Sequence, residues 1–244
     1  MKIRINLRPS LSLLVAIGSF LIPLLAINLF GAEPSAGKGT GKQPAPRVER
    51  WEQTIKDFEA LDAKTPPPKG AILIVGGSNA KRWRDAADYL PGHQIINRGF
   101  GGGRLSEVVH FADRIILPYA PKAILINAGG NDLKAGSSPV HIRDNAQTLI
   151  ATVHDKFPDT RIYFIGLPYM ERVQGNPEAQ AVIRDFNEQL STLAQKYPKV
   201  GFIDIAPAFL NERGEFQSDL FVEDGTHYSS KGYMVIAELI REKL

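Results

Sequence analysis

The chain has 244 residues, 43% of them hydrophobic and 23% charged, which is enough to bury one sizeable core. It contains no cysteine, excluding disulfides, thiolate metal sites, a cysteine nucleophile and a lipidated-cysteine anchor. The net charge of +3 arises within residues 1–32, where Lys2, Arg4 and Arg8 meet no acid; the other 26 of the 29 basic residues face 26 acidic ones. A balanced body without clustered Lys and Arg gives no reason to expect a nucleic-acid partner.

The three basic residues precede an uncharged apolar run over residues 11–30, followed by Gly31-Ala32. Basic flank, apolar stretch and small residues make a secretory signal. A run of about 20 residues is also long enough to span a bilayer, so a retained membrane tether is the second expectation. Either way the protein is expected to be exported, to a periplasmic or extracellular location. Residues 1–32 are thus read as signal peptide or anchor, 33–47 as a flexible linker rich in Gly, Pro, Ser and Lys, and 48–244 as the folded domain. GKGTGK within the linker is no phosphate-binding loop, because no strand precedes it and Gln43 stands where Ser or Thr is needed.

The domain opens with an amphipathic helix over 48–61, closed by Pro66-Pro67-Pro68. Short β-rich runs follow at 71–75, 94–97, 123–127, 161–165 and 201–205. Between them lie helical periodicities, such as Ile142, Ala146, Leu149, Ile150, Val153 and Val182, Ile183, Phe186, Leu190, Leu193; a last helix starts near Ser230. Apolar strands alternating with helices predict a parallel sheet covered on both faces. In such a sheet, chemistry belongs just beyond the carboxyl ends of the strands.

Those positions carry distinctive residues. Gly76-Gly77-Ser78-Asn79 follows the first strand, NRGFGGGR (97–104) the second, and NAGGND (127–132) the third; EDGTHYS (223–229) precedes the final helix. Each is weak alone, since glycines and Asn-Asp are ordinary turn and cap residues. Taken together, over residues 70–244, they resemble the SGNH hydrolases, the GDSL-type esterase superfamily, and in particular its platelet-activating-factor-acetylhydrolase-like and bacterial sugar-ester branch.

The resemblance implies a flavodoxin-like three-layer α/β/α sandwich on a five-stranded parallel sheet, and a serine esterase without a metal or other cofactor. Ser78 matches the nucleophile and His227 the base, with Asp224 orienting it. The backbone N–H groups of Ser78 and Gly102 and the side-chain amide of Asn131 match the oxyanion donors. A one-residue shift at Gly102 is open. Gly77 stands where many members carry Asp.

The chemistry explains the residue types. A serine hydroxyl needs a base to take its proton, and a carboxylate fixes the histidine tautomer. Acyl transfer builds an oxyanion that needs aimed donors. Glycine at 102 is expected to keep a Cβ out of the hole, and Gly76 and Gly77 to expose Ser78. His93, His110, His141 and His154 have no partner pattern. Asp132 reads as a cap, and Arg98 and Arg104, beside the glycine loop, as part of a solvated or salt-bridged face rather than as substrate contacts; Glu171 and Arg172 follow the fourth strand without a ranked role.

A dinucleotide-binding fold is disfavoured because the third glycine of its fingerprint falls on Arg104. An α/β-hydrolase would need G-x-S-x-G, but Ala80 stands at the last position. The expected substrate is a short acyl, chiefly acetyl, ester of a carbohydrate or small alcohol. A lysophospholipid is the alternative, and a non-catalytic carbohydrate-binding protein on the same fold is the rival from another class.

Overall fold

A computed structural model describes residues 45–244. The segment read as signal or anchor, including 11–30, and most of that read as linker lie outside the described residues. Among the described residues, no helix is long and apolar enough to cross a membrane.

Five strands form one parallel sheet: β1 (Ile72–Gly76), β2 (Ile95–Asn97), β3 (Ala123–Asn127), β4 (Arg161–Ile165) and β5 (Val200–Ile203), in the order β2-β1-β3-β4-β5. Every residue of β1 and β3 is buried, as the continuous apolar runs require when helices cover both faces. The expected α/β fold is therefore present. The last strand ends at Ile203 rather than 205, because the Asp204 carboxylate takes the Ala206 N–H and turns the chain.

The crossovers divide the helices. From β1 the chain steps to one neighbour, β2, then returns across β1 and proceeds through β3, β4 and β5. Right-handed crossovers then place the first connection on one face and the later ones on the other. Accordingly, helix Leu105–His110 packs on Pro139–Lys156, which packs on Pro177–Ala194, while the terminal helix Ser230–Arg241 packs on Ala86–Tyr89. Ser138, Asn176 and Ser229 cap three of these helices through side-chain oxygens.

The direction of chain progression reverses beside β1. Its carboxyl end and that of β3 therefore flank the crevice where open α/β sheets place their sites. Gly76 makes the junction tight: its φ is +135°, and a Cβ there would lie 2.0 Å from the Asn127 carbonyl oxygen on β3. No other residue fits.

The domain's first helix, α1 (Val48–Lys64), docks through buried Trp51 and Ile55. Part of the segment read as linker is fastened down with it. The Ala45 carbonyl accepts from Arg104 Nη2 at 2.8 Å, and Arg47 bonds to the buried Glu107.

Candidate active site

The strand β1 leads through Gly77 into a single helical turn, α2 (Ser78–Arg82), with Ser78 at its start. From the other end of the chain, a turn closed by Gly225 N–H on the Val222 carbonyl presents His227. Asn79 stitches the two together: its Oδ1 accepts the Tyr228 N–H at 3.2 Å, and its carbonyl accepts the Tyr233 hydroxyl at 2.8 Å. The result joins three of the expected residues. His227 Nε2 lies 2.9 Å from Ser78 Oγ, and His227 Nδ1 lies 2.6 Å from Asp224 Oδ2.

Asp224 does more than touch the ring. Its Oδ1 accepts the N–H groups of Thr226 and His227, both at 2.9 Å. Partial burial would raise its pKa, but the ring bond and the two backbone donors outweigh that and hold it at about 2. The carboxylate is therefore ionised, so Nδ1 carries a proton and Nε2 is left as the acceptor for the serine proton.

Asn131, at the start of the turn after β3, faces the same crevice. Its Nδ2 donates to the Gly103 carbonyl at 3.1 Å, which occupies one of two amide protons and leaves the other for a ligand. A Cβ on Gly77 would come within 2.8 Å of that Nδ2 and 3.0 Å of the Gly103 oxygen. Gly77 has an ordinary φ of −84°, so the need for glycine is close approach and not backbone strain. An Asp at this position would displace the asparagine.

Gly102 departs from the expectation. A Cβ on it would point at the Trp51 ring, 3.6 Å away in ordinary contact, and not into the crevice. What demands glycine is its φ of +82°. Its carbonyl is held by Arg47 Nη2 at 2.8 Å, and Gly101 is the loop glycine that shares a cavity wall with Ser78 and His227.

The remaining residues separate cleanly. Arg98 is bonded to Asp62 and to the Tyr119 hydroxyl, and Arg104 to Glu107; both are salt-bridged, but buried rather than on a solvated face. Asp132 does not cap its own turn. It accepts the Leu105 N–H and so ties the third block to the second; burial pushes its pKa up to about 6 despite that bond. His93 bonds Lys122, and His154 bonds the Thr160 carbonyl. Arg172 lines the crevice and bonds Thr226 Oγ1 at 2.9 Å; Glu171 packs against Gly225. Asn79, Arg47 and Glu107 were not read from the sequence. Only Asn79 had a signal, its place beside the serine. Among the described residues, no three His, Asp or Glu side chains gather to hold a metal ion.

Two cavities meet at the relay. One, of about 150 Å³, is bounded by Ser78, Asn131, Leu167, Met170 and His227; the other, of about 480 Å³, opens on the far side of Ser78 and His227. A larger hollow of about 520 Å³ lies beside β5, around Tyr169, Phe202 and Asp204, and contains none of the relay residues.

Comparison with known proteins decides the family. The model of the GDSL-like lipase/acylhydrolase family matches residues 73–235, which spans Ser78, Gly102, Asn131, Asp224 and His227. The chain belongs to this family. A relative is the platelet-activating factor acetylhydrolase IB subunit alpha1 of Rattus norvegicus, 24% identical over 87% of this chain and 90% of that protein. A GDSL-like lipase from Bacteroides thetaiotaomicron shares the fold with a TM-score of 0.63 at 16% identity, over 78% of this chain and 96% of that one. A catalytic mutant of the acetylxylan esterase Axe2 from Geobacillus stearothermophilus does so at 0.59 and 14%, over 72% and 94%. This GDSL-like acylhydrolase is accordingly an ester-hydrolysing enzyme.

The Asn131 amide gives a direct test. Asn131→Ala is expected to lower kcat by about 10²–10³-fold with little change in KM, because a donor to a developing oxyanion matters mainly in the transition state. Steady-state kinetics on one ester measure it. A change confined to KM would assign Asn131 to ground-state binding.

Proposed function

We propose that the protein is an exported serine esterase that removes short acyl groups, chiefly acetyl, from a carbohydrate or small alcohol through an acyl-enzyme on Ser78. The observation that carries this reading is the hydrogen-bonded series Ser78, His227, Asp224 opening on a cavity of about 150 Å³. His227 takes the serine proton as Oγ attacks the carbonyl, then returns it to the departing alcohol. Water repeats the sequence to release the acid. The N–H groups of Ser78 and Gly102 and the Asn131 amide receive the oxyanion.

The small cavity favours a small acyl group. A space of this size holds about a benzene-sized ligand. Its wall includes Asn79, Asn127, Lys134, Arg172 and Thr226, not the apolar sleeve that a long chain would need. The names of the rodent relative and the Geobacillus enzyme both specify acetyl removal. Export rests on Lys2, Arg4 and Arg8 ahead of the apolar run 11–30.

The test is a panel of p-nitrophenyl esters from two to sixteen carbons, with and without a fluorophosphonate. We expect the highest kcat/KM at two to four carbons, and covalent labelling of Ser78. A maximum at long chains would instead support the lysophospholipid alternative, and absence of turnover with the whole panel a binding role.

A further inference from the structure

We propose that the ester this site hydrolyses carries an anionic group, a carboxylate or phosphate, on its alcohol portion. The inference rests on the serine-esterase reading and names its substrate class. The cavity of about 480 Å³ that opens on Ser78 and His227 is bounded otherwise by Gly101 and three cations, Lys81, Arg82 and Arg84. Among the described residues, no carboxylate lines it.

The local fold aims these cations at the nucleophile. Lys81 and Arg82 are three and four residues beyond Ser78 on α2, and so share its face. Trp83 is fully buried and stacks on Tyr233 at 5.2 Å, which pins the turn and leaves Arg84 on the exposed side. All three cations are exposed, and none forms an ion pair with a described residue. Arg47, Arg98, Arg104 and Arg114, by contrast, each sit on a carboxylate.

The smaller cavity continues the pattern. Lys134 and Arg172 line it, again with no acid among the described residues of its wall. Asp224, behind His227, has its charge engaged by the ring and two backbone donors, and it also acts on Arg172. Lys81, Arg82, Arg84 and Lys134 thus converge on the two cavities of a body whose charges balance overall, 26 against 26 beyond residue 32. A cleft lined by one sign of charge concentrates ligands of the other sign and raises their association rate. With the acyl group in the small cavity, the alcohol side of the ester extends past Ser78 into the wall of Lys81, Arg82 and Arg84.

Two matched pairs test this with the full-length protein: an O-acetylated methyl glucuronide against the corresponding acetylated methyl glucoside, and acetyl glycerol phosphate against acetyl glycerol. We expect kcat/KM to favour the charged member of at least one pair by about 10-fold or more at low salt. That preference should shrink as salt screens the cations. Lys81→Gln combined with Arg84→Gln should reduce the charged-to-neutral ratio toward one. If the double variant does not fold, the salt dependence of the wild type decides alone. A preference in the sugar pair points to acylated acidic glycans, and one in the glycerol pair to acyl glycerophosphates. Equal turnover within both pairs, or a preference unaffected by salt, overturns the inference and leaves the esterase reading intact. Absence of hydrolysis of all four compounds and of p-nitrophenyl acetate overturns both.

Discussion

Replacing Ser78 by alanine should lower kcat by about 10⁶-fold, and His227→Ala should match it, because nucleophile and base act as one unit. The double variant is then expected to be hardly worse than either single one. The structure supplies the reason: the only described imidazole on Ser78 Oγ is that of His227, 2.9 Å away, so each side chain is idle without the other. Asp224→Asn is a milder lesion, with a loss approaching about 10⁴-fold. The asparagine Oδ1 can still accept from Thr226 and His227 N–H, but an amide facing Nδ1 no longer selects the productive tautomer. The pH dependence has a definite sign. Asp224 is held at about 2, so it stays charged throughout the range in which enzymes are assayed. The acid limb of kcat/KM therefore does not report Asp224, and activity is expected to fall on acidification because a general base works only unprotonated. Steady-state rates and titration with a fluorophosphonate check the set. A Ser78→Ala protein within tenfold of wild type would end the serine mechanism.

The largest effect on stability is expected away from the reacting atoms, at Glu107. Its side chain is wholly buried and accepts from Trp51 Nε1 at 2.8 Å, from the backbone N–H groups of Arg47 and Arg104, and from both guanidinium groups. Glu107→Leu would strand two arginines and an indole N–H, and should cost about 3–5 kcal/mol in urea denaturation, as breaking a buried ion pair from one side generally does. Burial alone would raise this carboxyl's pKa, but the bonds from Arg47 and Arg104 bring it down to about 2. The folded value thus lies below the ordinary 4.5, so the stabilisation is complete above about pH 4.5 and is lost as pH falls toward 2. Glu107→Gln should correspondingly flatten the acid slope of stability between those limits. Activity should suffer as well, since Arg47 holds the Gly102 carbonyl. A Glu107→Leu protein within 1 kcal/mol of wild type would show that the cluster is dispensable.

The residues of the relay were legible in the sequence for a chemical reason. Ser, His and Asp after strands, in blocks separated by helices, have few structural explanations in common, and glycines beside them mark sharp turns. The strands were legible because a parallel sheet buries both faces and leaves unbroken apolar runs. Glu107 was not legible, because a Glu three residues into a helix reads as an ordinary capping residue. Its importance comes from Arg47, 60 positions earlier, folding onto it. The reason for Gly102 was legible only in part: its need for glycine could be expected, but whether a Cβ would face the hole or Trp51 depends on how α1 packs.

The sequence by itself determined the order of strands and helices, the residue types of the relay and the absence of thiol chemistry, since these follow from local periodicity and side-chain reactivity. Only the tertiary structure decided the rest. Ser78 and His227 are 149 positions apart and meet because Asn79 ties α2 to the loop before the last helix. The small cavity beside Asn131 and the cation-lined cavity beyond Ser78 likewise belong to no single segment. Period and composition act along the chain, whereas close approach, burial and charge act through space, and only packing converts one into the other.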